Sequence, residues 1–337
     1  MKIAIVILNW NGQQLLEKFL PSIIKYNTPN NAEIYVADNA STDTSIAFVK
    51  KTFPTVKIVQ NKKNGGYAKG YNDALEHIEA DVYGLINSDI EVTENWLNPI
   101  IDTFNTKPET AIIQPKILDY KNKALFEYAG AAGGFIDKYG YPFCRGRIFS
   151  VLEKDNNQFN NTCEIFWASG ACFFIKSNVF KELNGFDEDY FAHQEEIDLC
   201  WRAKNLDYSI KYVGNSTVYH VGGATLKEES PRKSFLNFRN SLFTLVKNVP
   251  KKQLFGIIFM RLILDGIAGV KFLTEMRPMH TIAIIKAHFS FYAQLSKMYK
   301  KRSIHKKRSD YFTTKSIVWE HFILGKKKYS ELENSDS

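Results

Sequence analysis

Cysteine is scarce in this 337-residue chain, and the four that occur, Cys144, Cys163, Cys172 and Cys200, show no C-x-x-C spacing. No secretory leader precedes Lys2, so reduced thiols and a cytoplasmic location are the expectation. Also missing is an uninterrupted apolar run of membrane-spanning length. The longest candidate, Leu254 to Leu273, contains Arg261, Asp265 and Lys271, so a spanning helix is not expected. A Walker A loop and a convincing dinucleotide fingerprint are absent too. The turn after the first apolar run, Asn9-Trp10-Asn11-Gly12, carries no cation, which disfavours a sugar nucleotidyltransferase.

What remains is an ordinary globular composition, 45% hydrophobic and 24% charged, with 14% aromatic residues that lean toward sugar, base or membrane-interface contacts. The net charge of +8 is unevenly spread. Residues 1–225 carry 22 Lys+Arg against 27 Asp+Glu, whereas residues 226–337 carry 22 against 9. That break between Thr225 and Leu226 is the expected domain boundary. The basic part, 226–328, reads as helical. Its Ser234–Lys247, Leu254–Leu273 and Met279–Tyr299 stretches place apolar faces beside cationic clusters such as Lys300-Lys301-Arg302 and Lys306-Lys307-Arg308. Helices lying on an anionic membrane have that character, though packing against the acidic domain or a second subunit would serve as well. Residues 329–337 read as a disordered polar tail.

In the first 225 residues, Ile3–Leu8, Ile34–Ala37, Val56–Val59 and Tyr83–Ile86 are short apolar or β-branched runs that suit buried strands. Helical periodicities follow the first three, the first of them interrupted by Pro21, which should kink or divide its helix. Strands alternating with helices imply an α/β fold with a largely parallel sheet, and ligands in such folds bind beyond the carboxyl ends of the strands. Asn9–Asn11, Asp38 and Asn87-Ser88-Asp89 each follow a predicted strand. Asn87 and Asp89 stand two apart, so in extended chain an amide and a carboxylate face one point, suited to a hard cation. An Asn/Asp turn explains the same residues structurally. The stretch Asn64–Asn72, with Gly65, Gly66 and Gly70, leads into a helical pattern and reads as a tight turn or phosphate cradle. Lys121–Phe159 lacks a period and reads as hairpins and a long loop. Glu195, Glu196 and Asp198 open a predicted helix, where acids are favoured by the dipole. Alternatively Glu196 projects into a cleft as a general base. His220 ends the last predicted strand beside glycines and suits either a core hydrogen bond or a metal.

Together these residues resemble the family 2 glycosyltransferases of the GT-A fold, over about residues 1–225. Val6–Asn11 is similar to the family's opening strand and Asp38–Asp43 to its nucleotide-binding turn. Asn64–Asn72 matches its N-x-G-x-A-x-G-x-N segment, and Asn87-Ser88-Asp89 stands at its DxD-type position. Glu195–Arg202 resembles its ED-x-D-L-C-x-R element, and His220 its late histidine. Asn87 replaces the first acid of DxD and Glu196 the usual aspartate. No Q-x-x-R-W element of processive synthases is present, and the branch most resembled is rhamnosyltransferase-like.

The resemblance implies an inverting, non-processive, metal-dependent transfer from a nucleoside-diphosphate sugar to a saccharide or lipid-linked acceptor in cell-surface glycan synthesis. Asn9, Asn11, Asp38, Asn64, Gly66, Lys69, Asn87, Ser88 and Arg239 would meet the donor. Asp89 and His220 would hold Mg²⁺ or Mn²⁺. Glu196 would be the base, with Glu195 and Asp198 orienting the acceptor or bracing Arg202. The enzyme would sit at the inner face of the cell membrane. Nucleic acid is not an expected partner, and the oligomeric state is left open. The rival readings are a sugar nucleotidyltransferase and a non-catalytic adaptor built on the basic part.

Overall fold

A computed structural model describes residues 1–27, 32–222, 230–302 and 307–333. In chain order the elements begin β1 (Ile3–Asn9), α1 (Gln13–Lys25), β2 (Ala32–Asp38), α2 (Ser45–Thr52), β3 (Lys57–Gln60), α3 (Gly66–Leu75), β4 (Val82–Asn87), β5 (Ile90–Val92), α4 (Asn98–Thr106) and β6 (Thr110–Asp119). Five short strands follow, β7 (Gly134–Ile136), β8 (Pro142–Cys144), β9 (Arg147–Ile148), β10 (Val151–Leu152) and β11 (Thr162–Glu164). The catalytic half closes with β12 (Cys172–Lys176), α5 (Ser177–Glu182), α6 (Glu195–Lys204) and β13 (Ser209–His220). Five helices end the chain: α7 (Pro231–Asn248), α8 (Lys251–Thr274), α9 (Pro278–Lys300), α10 (Ile317–Phe322) and α11 (Ser330–Glu333).

The main sheet has the order β11-β13-β6-β12-β4-β1-β2-β3, with β5 on β13. β1, β2, β3 and β4 pair in parallel, as the alternation of strands and helices predicts. Beyond them β12 runs antiparallel to both β4 and β6, and β13 is again parallel to β6, so the sheet is mixed rather than largely parallel. Alternation along β1 sends Ala4 and Val6 to one face and Ile3, Ile5 and Ile7 to the other, each face having its own apolar core. That double coverage is why the strand reads as an unbroken apolar run. The aperiodic 121–159 stretch contains a small four-stranded sheet, β10-β9-β8-β7.

The structure bears on four further expectations. Pro21 lies inside α1 without dividing it. The expected boundary at Thr225/Leu226 falls outside the described residues, but the helices beyond it share the catalytic core, to which Leu245, Val249, Ile257 and Tyr311 belong. The tail is ordered as far as α11, with Tyr329 and Leu332 buried against Phe143 and Ile148; residues 334–337 lie outside the described residues. Finally, α8 is long and apolar enough to cross a membrane by length and composition, with a mean hydropathy of 1.7 and only 22% of that window buried. Its Arg261 and Asp265 pair with each other inside the protein instead of breaking an outward apolar surface.

Candidate active site

The carboxyl ends of β1, β2 and β4 lie side by side, with Asn9 in register with Asp38 and Leu8 with Asn87. Asn9 is fully buried, and its amide donates to Asp38 Oδ1 (3.1 Å), Ser41 Oγ (3.2 Å) and Ser45 Oγ (3.0 Å). Asp38 Oδ2 accepts from Ser41 N–H, so both of its oxygens shape the turn that follows β2. Exposed Asn11 tightens the same turn by accepting from Thr42 N–H at 2.7 Å. Asn64 Oδ1 caps the start of α3 by accepting from Gly66 N–H (2.9 Å) and also holds the Asn39 amide (3.0 Å).

At the end of β4, Asn87 N–H donates to Ala171 O, joining this turn to the Gly170 strand entry. Asn87 and Ser88 are half-buried at the rim, and Asp89 lies 4% exposed behind them. Asp89 Oδ1 is 3.2 Å from His220 Nε2, and Glu127 Oε1 is 3.1 Å from His220 Nδ1. Burial by itself would lower the imidazole pKa, but Glu127 and Asp89 together raise it to about 10. In this arrangement the ring is a cation between two carboxylates, and it would have to release its Nε2 proton before ligating a metal, with Glu127 then orienting it through Nδ1–H. Among the described residues no group of three His, Cys, Asp or Glu side chains is assembled for a metal. Two protein donors of hard and borderline type do suit Mg²⁺ or Mn²⁺ when phosphate oxygens complete the shell.

The first turn of α6 comes to Gly170, the residue before the Ala171 carbonyl that accepts from Asn87 N–H. A Cβ on Gly170 would stand 3.1 Å from Tyr67 Oη and 3.7 Å from Glu196 Cδ, so Tyr67, Gly170 and Glu196 converge. Glu195 Oε2 and Glu196 Oε2 are buried with no hydrogen-bond partner. Burial drives both carboxyls up, Glu196 to about 7, against the pull of backbone N–H groups at Gln194, Glu196, Ile197 and Gly170. For Glu195 the neighbouring Glu196 charge adds to the burial. A buried carboxylate left unpaired is expensive, and its usual justification is chemistry.

Three residues expected at donor or acceptor point elsewhere. Asp198 is fully buried on the other side of α6, accepting from Arg202 Nε (2.8 Å), Lys247 Nζ (2.7 Å) and Asn248 Nδ2 (2.9 Å). Burial would raise it, but the two cations hold it below the usual carboxylate range; it braces Arg202 and does not orient an acceptor. Lys69 pairs with Asp73 (2.7 Å) and lies near Glu188 instead of a phosphate. Arg239 donates to the carbonyls of Asp189 (3.1 Å) and Tyr190 (3.2 Å). Gly66 also serves the fold, since at its φ of +82° a Cβ would fall 2.4 Å from Phe191 O. A cavity of about 820 Å³ lined by Asn72, Asp187, Arg202, Lys247 and Lys307 includes none of Glu195, Glu196, Asp89 or His220.

Sequence reasoning missed Glu127, Tyr67 and Asn240. The segment before α6 places Phe191, His193 and Gln194 at φ of 64°, 68° and 73°, left-handed geometry that costs a non-glycine residue about 1–3 kcal/mol each. Asn240, fully buried in α7, holds that segment by donating to Tyr190 O (3.0 Å), Ala192 O (2.9 Å) and His193 O (2.8 Å). An asparagine in a helix interior, where it is a poor helix former, was the available signal.

This mixed sheet, with its donors gathered at the strand ends, is the GT-A architecture of nucleotide-sugar transferases. The profile of Glycosyl transferase family 2 matches residues 4–183, more than half of the chain, and the chain belongs to that family. It is a glycosyltransferase of rhamnosyltransferase-like type. It is 24% identical over 234 residues to an N-acetylglucosaminyl-diphospho-decaprenol L-rhamnosyltransferase of Mycobacterium tuberculosis, covering 65% of this chain and 75% of that one. It is 22% identical over 244 residues to the low-salt glycan biosynthesis hexosyltransferase Agl10 of Haloferax volcanii (71% and 73%). Among solved structures, GalNAc-T7 with UDP, GalNAc and Mn²⁺ superposes with a TM-score of 0.60 at 14% identity, over 90% of this chain and 59% of that one. The mannosyltransferase PcManGT of Pyrobaculum calidifontis with GDP-Man and Mn²⁺ superposes with a TM-score of 0.54 at 13% identity (86% and 87%).

Asn240→Ala removes the clamp on the strained segment while leaving every rim residue in place. It should lower kcat by about tenfold or more and cost about 2 kcal/mol of stability, read by steady-state kinetics and by urea unfolding.

Proposed function

We propose that the chain catalyses an inverting, non-processive transfer of a sugar from a nucleoside-diphosphate donor to a saccharide or lipid-linked acceptor, in cell-surface glycan synthesis. The observation that carries this reading is the unpaired Glu195–Glu196 pair, with Glu196 beside Tyr67 and Gly170 and Gly170 next to the Ala171 carbonyl that holds Asn87 N–H. The other carboxylates of the cleft are already engaged: Asp38 with Asn9 and Ser41, and Asp89 and Glu127 with His220. That leaves Glu195 and Glu196, and Glu196, raised only to about 7 and lying by Gly170 and Tyr67, is the one to take a proton near neutrality.

The turns after β1 and β2 hold the nucleoside, and Asn87 and Ser88 flank the diphosphate. Asp89 and His220 hold Mg²⁺ or Mn²⁺, which when bound offsets negative charge on the departing diphosphate. Glu196 removes the acceptor hydroxyl proton as that oxygen bonds to the anomeric carbon. The bond from that carbon to the diphosphate oxygen breaks on the opposite face, and the nucleoside diphosphate leaves with the bonding pair. Burial keeps the Glu196 carboxyl basic enough to accept the proton near neutrality, and the Glu196 charge in turn pushes the neighbouring Glu195 up. Donor chemistry is supported by the nucleotide sugars and Mn²⁺ in the superposed enzymes, and a lipid-linked acceptor by the name of the mycobacterial relative. Such an acceptor would be met at the inner face of the cell membrane.

With a panel of UDP-, GDP- and dTDP-sugars and Mn²⁺, one donor should be turned over. The active base is the deprotonated form, so kcat/KM should rise with pH through about 7. Glu196→Gln should abolish that limb and lower kcat by about 10²- to 10⁴-fold with donor affinity nearly unchanged. Retention of turnover in this variant removes Glu196 from the base role.

Asp89→Ala should weaken donor binding by about tenfold or more in Mn²⁺, with little change in EDTA, as calorimetry would show. Donor binding in the unsubstituted protein that is indifferent to metal contradicts the Asp89–His220 assignment.

A further inference from the structure

α8 is inside out, and α9 beside it carries a second exposed apolar stripe. On α8 the buried positions Ile257, Arg261, Asp265 and Gly269 recur every four residues, and the two charged side chains are among the most deeply covered. Arg261 donates to Asp265 Oδ1 (2.7 Å), Tyr139 O (3.2 Å) and Ser241 Oγ (2.8 Å), and stacks 3.9 Å over the Tyr141 ring. Asp265 also accepts from Tyr141 Oη (3.0 Å) and lies 3.1 Å from His288 Nε2 on α9. The outward stripe of the same helix is Phe255, Phe259, Ile263, Ile267, Val270 and Leu273, with Phe255 84% exposed. α9 continues it with Ile282, Ile285, Phe289, Tyr292 and Leu295, Phe289 being 72% exposed. Lys271 lies 5.4 Å from the Phe322 ring, so the exposed Trp319, Phe322, Ile323 and Leu324 of α10 extend the same face. A helix that buries its charged pair inward and turns most of its large apolar side chains outward is made for a non-aqueous neighbour.

Charge identifies the neighbour. The exposed charged residues from Lys251 to Lys300 are six lysines against one carboxylate, Glu275; Lys271 pairs with Glu275 and Lys297 with Asp189, which leaves Lys251, Lys252, Lys286 and Lys300 for an anionic surface. A two-fold contact between copies would bring like charges together around its rim, whereas an anionic surface gains from each lysine. Crossing the bilayer is ruled out for α8 in this fold, because its inner stripe is bound to Tyr139, Tyr141 and Ser241 of the protein body.

We propose that the joint outer face of α8, α9 and α10 lies flat on an anionic phospholipid bilayer, its apolar side chains among the acyl chains and its lysines at the phosphates. The clamp residue Asn240 sits on α7, which packs along α9 through Phe243 and Phe291, so the Glu195–Glu196 cleft is held rigidly to the membrane face. The inference deepens the reading of a lipid-linked acceptor and rests on it for its purpose, but not for its test.

Cosedimentation with phosphatidylcholine vesicles, with and without phosphatidylglycerol, measures the contact without any turnover. The full chain should bind the anionic vesicles, and more weakly as salt rises. The triple variant Phe259→Glu, Ile263→Glu, Phe289→Glu should lower the bound fraction by about tenfold or more. All three side chains are exposed, so donor hydrolysis in vesicle-free buffer should be unchanged and reports that the variant is folded. Absence of binding to anionic vesicles overturns the proposal, as does a variant that still binds. So does a dimer of the unsubstituted chain that the same substitutions dissociate. Loss of donor hydrolysis in the unsubstituted chain would instead strike the enzymatic reading.

Discussion

The Asp198 carboxylate, sealed between Arg202, Lys247 and Asn248, is the interaction on which the rest of this structure depends. It ties α6 to α7, and removal of one partner from so buried a charge pair costs about 3–5 kcal/mol. One turn away on the same helix, Glu195 and Glu196 have no such partners. Three acids in one helical turn are thus divided by surroundings. One is held ionised for structure, and two are pushed upward by burial and left available for proton transfer. The anchored acid allows the unanchored ones to remain where they are costly.

The same helix α7 carries the second half of the arrangement. Its Asn240 holds the segment 191–194, its Arg239 holds the Asp189 and Tyr190 carbonyls just before it, and Phe191 in turn covers Gly66 at the head of α3. The basic extension is therefore a structural part of the catalytic unit, with its inner charges directed to the body and its outer side chains apolar. Electrostatics inside and hydrophobicity outside are two consequences of one placement, since Arg261 and Asp265 could not serve the hairpin around Tyr141 and also face water.

Much of this was legible in the chain. The unbroken apolar run of β1 reports a strand covered on both faces, and polar residues just after successive strands report a ligand-binding edge, which is where Asn9, Asp38 and Asn87 stand. The family resemblance named segments that the fold brings to neighbouring strand ends at Asn9, Asp38 and Asn87. What it could not convey was side-chain direction: Lys69 and Arg239 lie in the expected segments but turn toward Asp73 and toward loop carbonyls. The antiparallel insertion of β12 was hidden because an apolar run carries no sign of its direction. Glu127 was hidden because its stretch has no period, and its meaning appears only through His220. The tail misled, and α8 was judged non-spanning on the wrong ground, for a common reason. A hydropathy reading takes charges as exposed and polar ends as solvated, whereas Arg261 and Asp265 are buried as a pair and Leu332 docks on Phe143 and Ile148.

The central claim is that distant parts of the chain build one donor-and-base cleft, and a crystal structure of the protein soaked with Mn²⁺ and its nucleoside diphosphate tests it most directly. The account predicts anomalous density for the cation between Asp89 and His220 and the diphosphate, with the Glu196 carboxyl facing the vacant sugar side. A cation or diphosphate bound away from the Asn87–Asp89 turn, with Glu196 remote from it, would contradict the account.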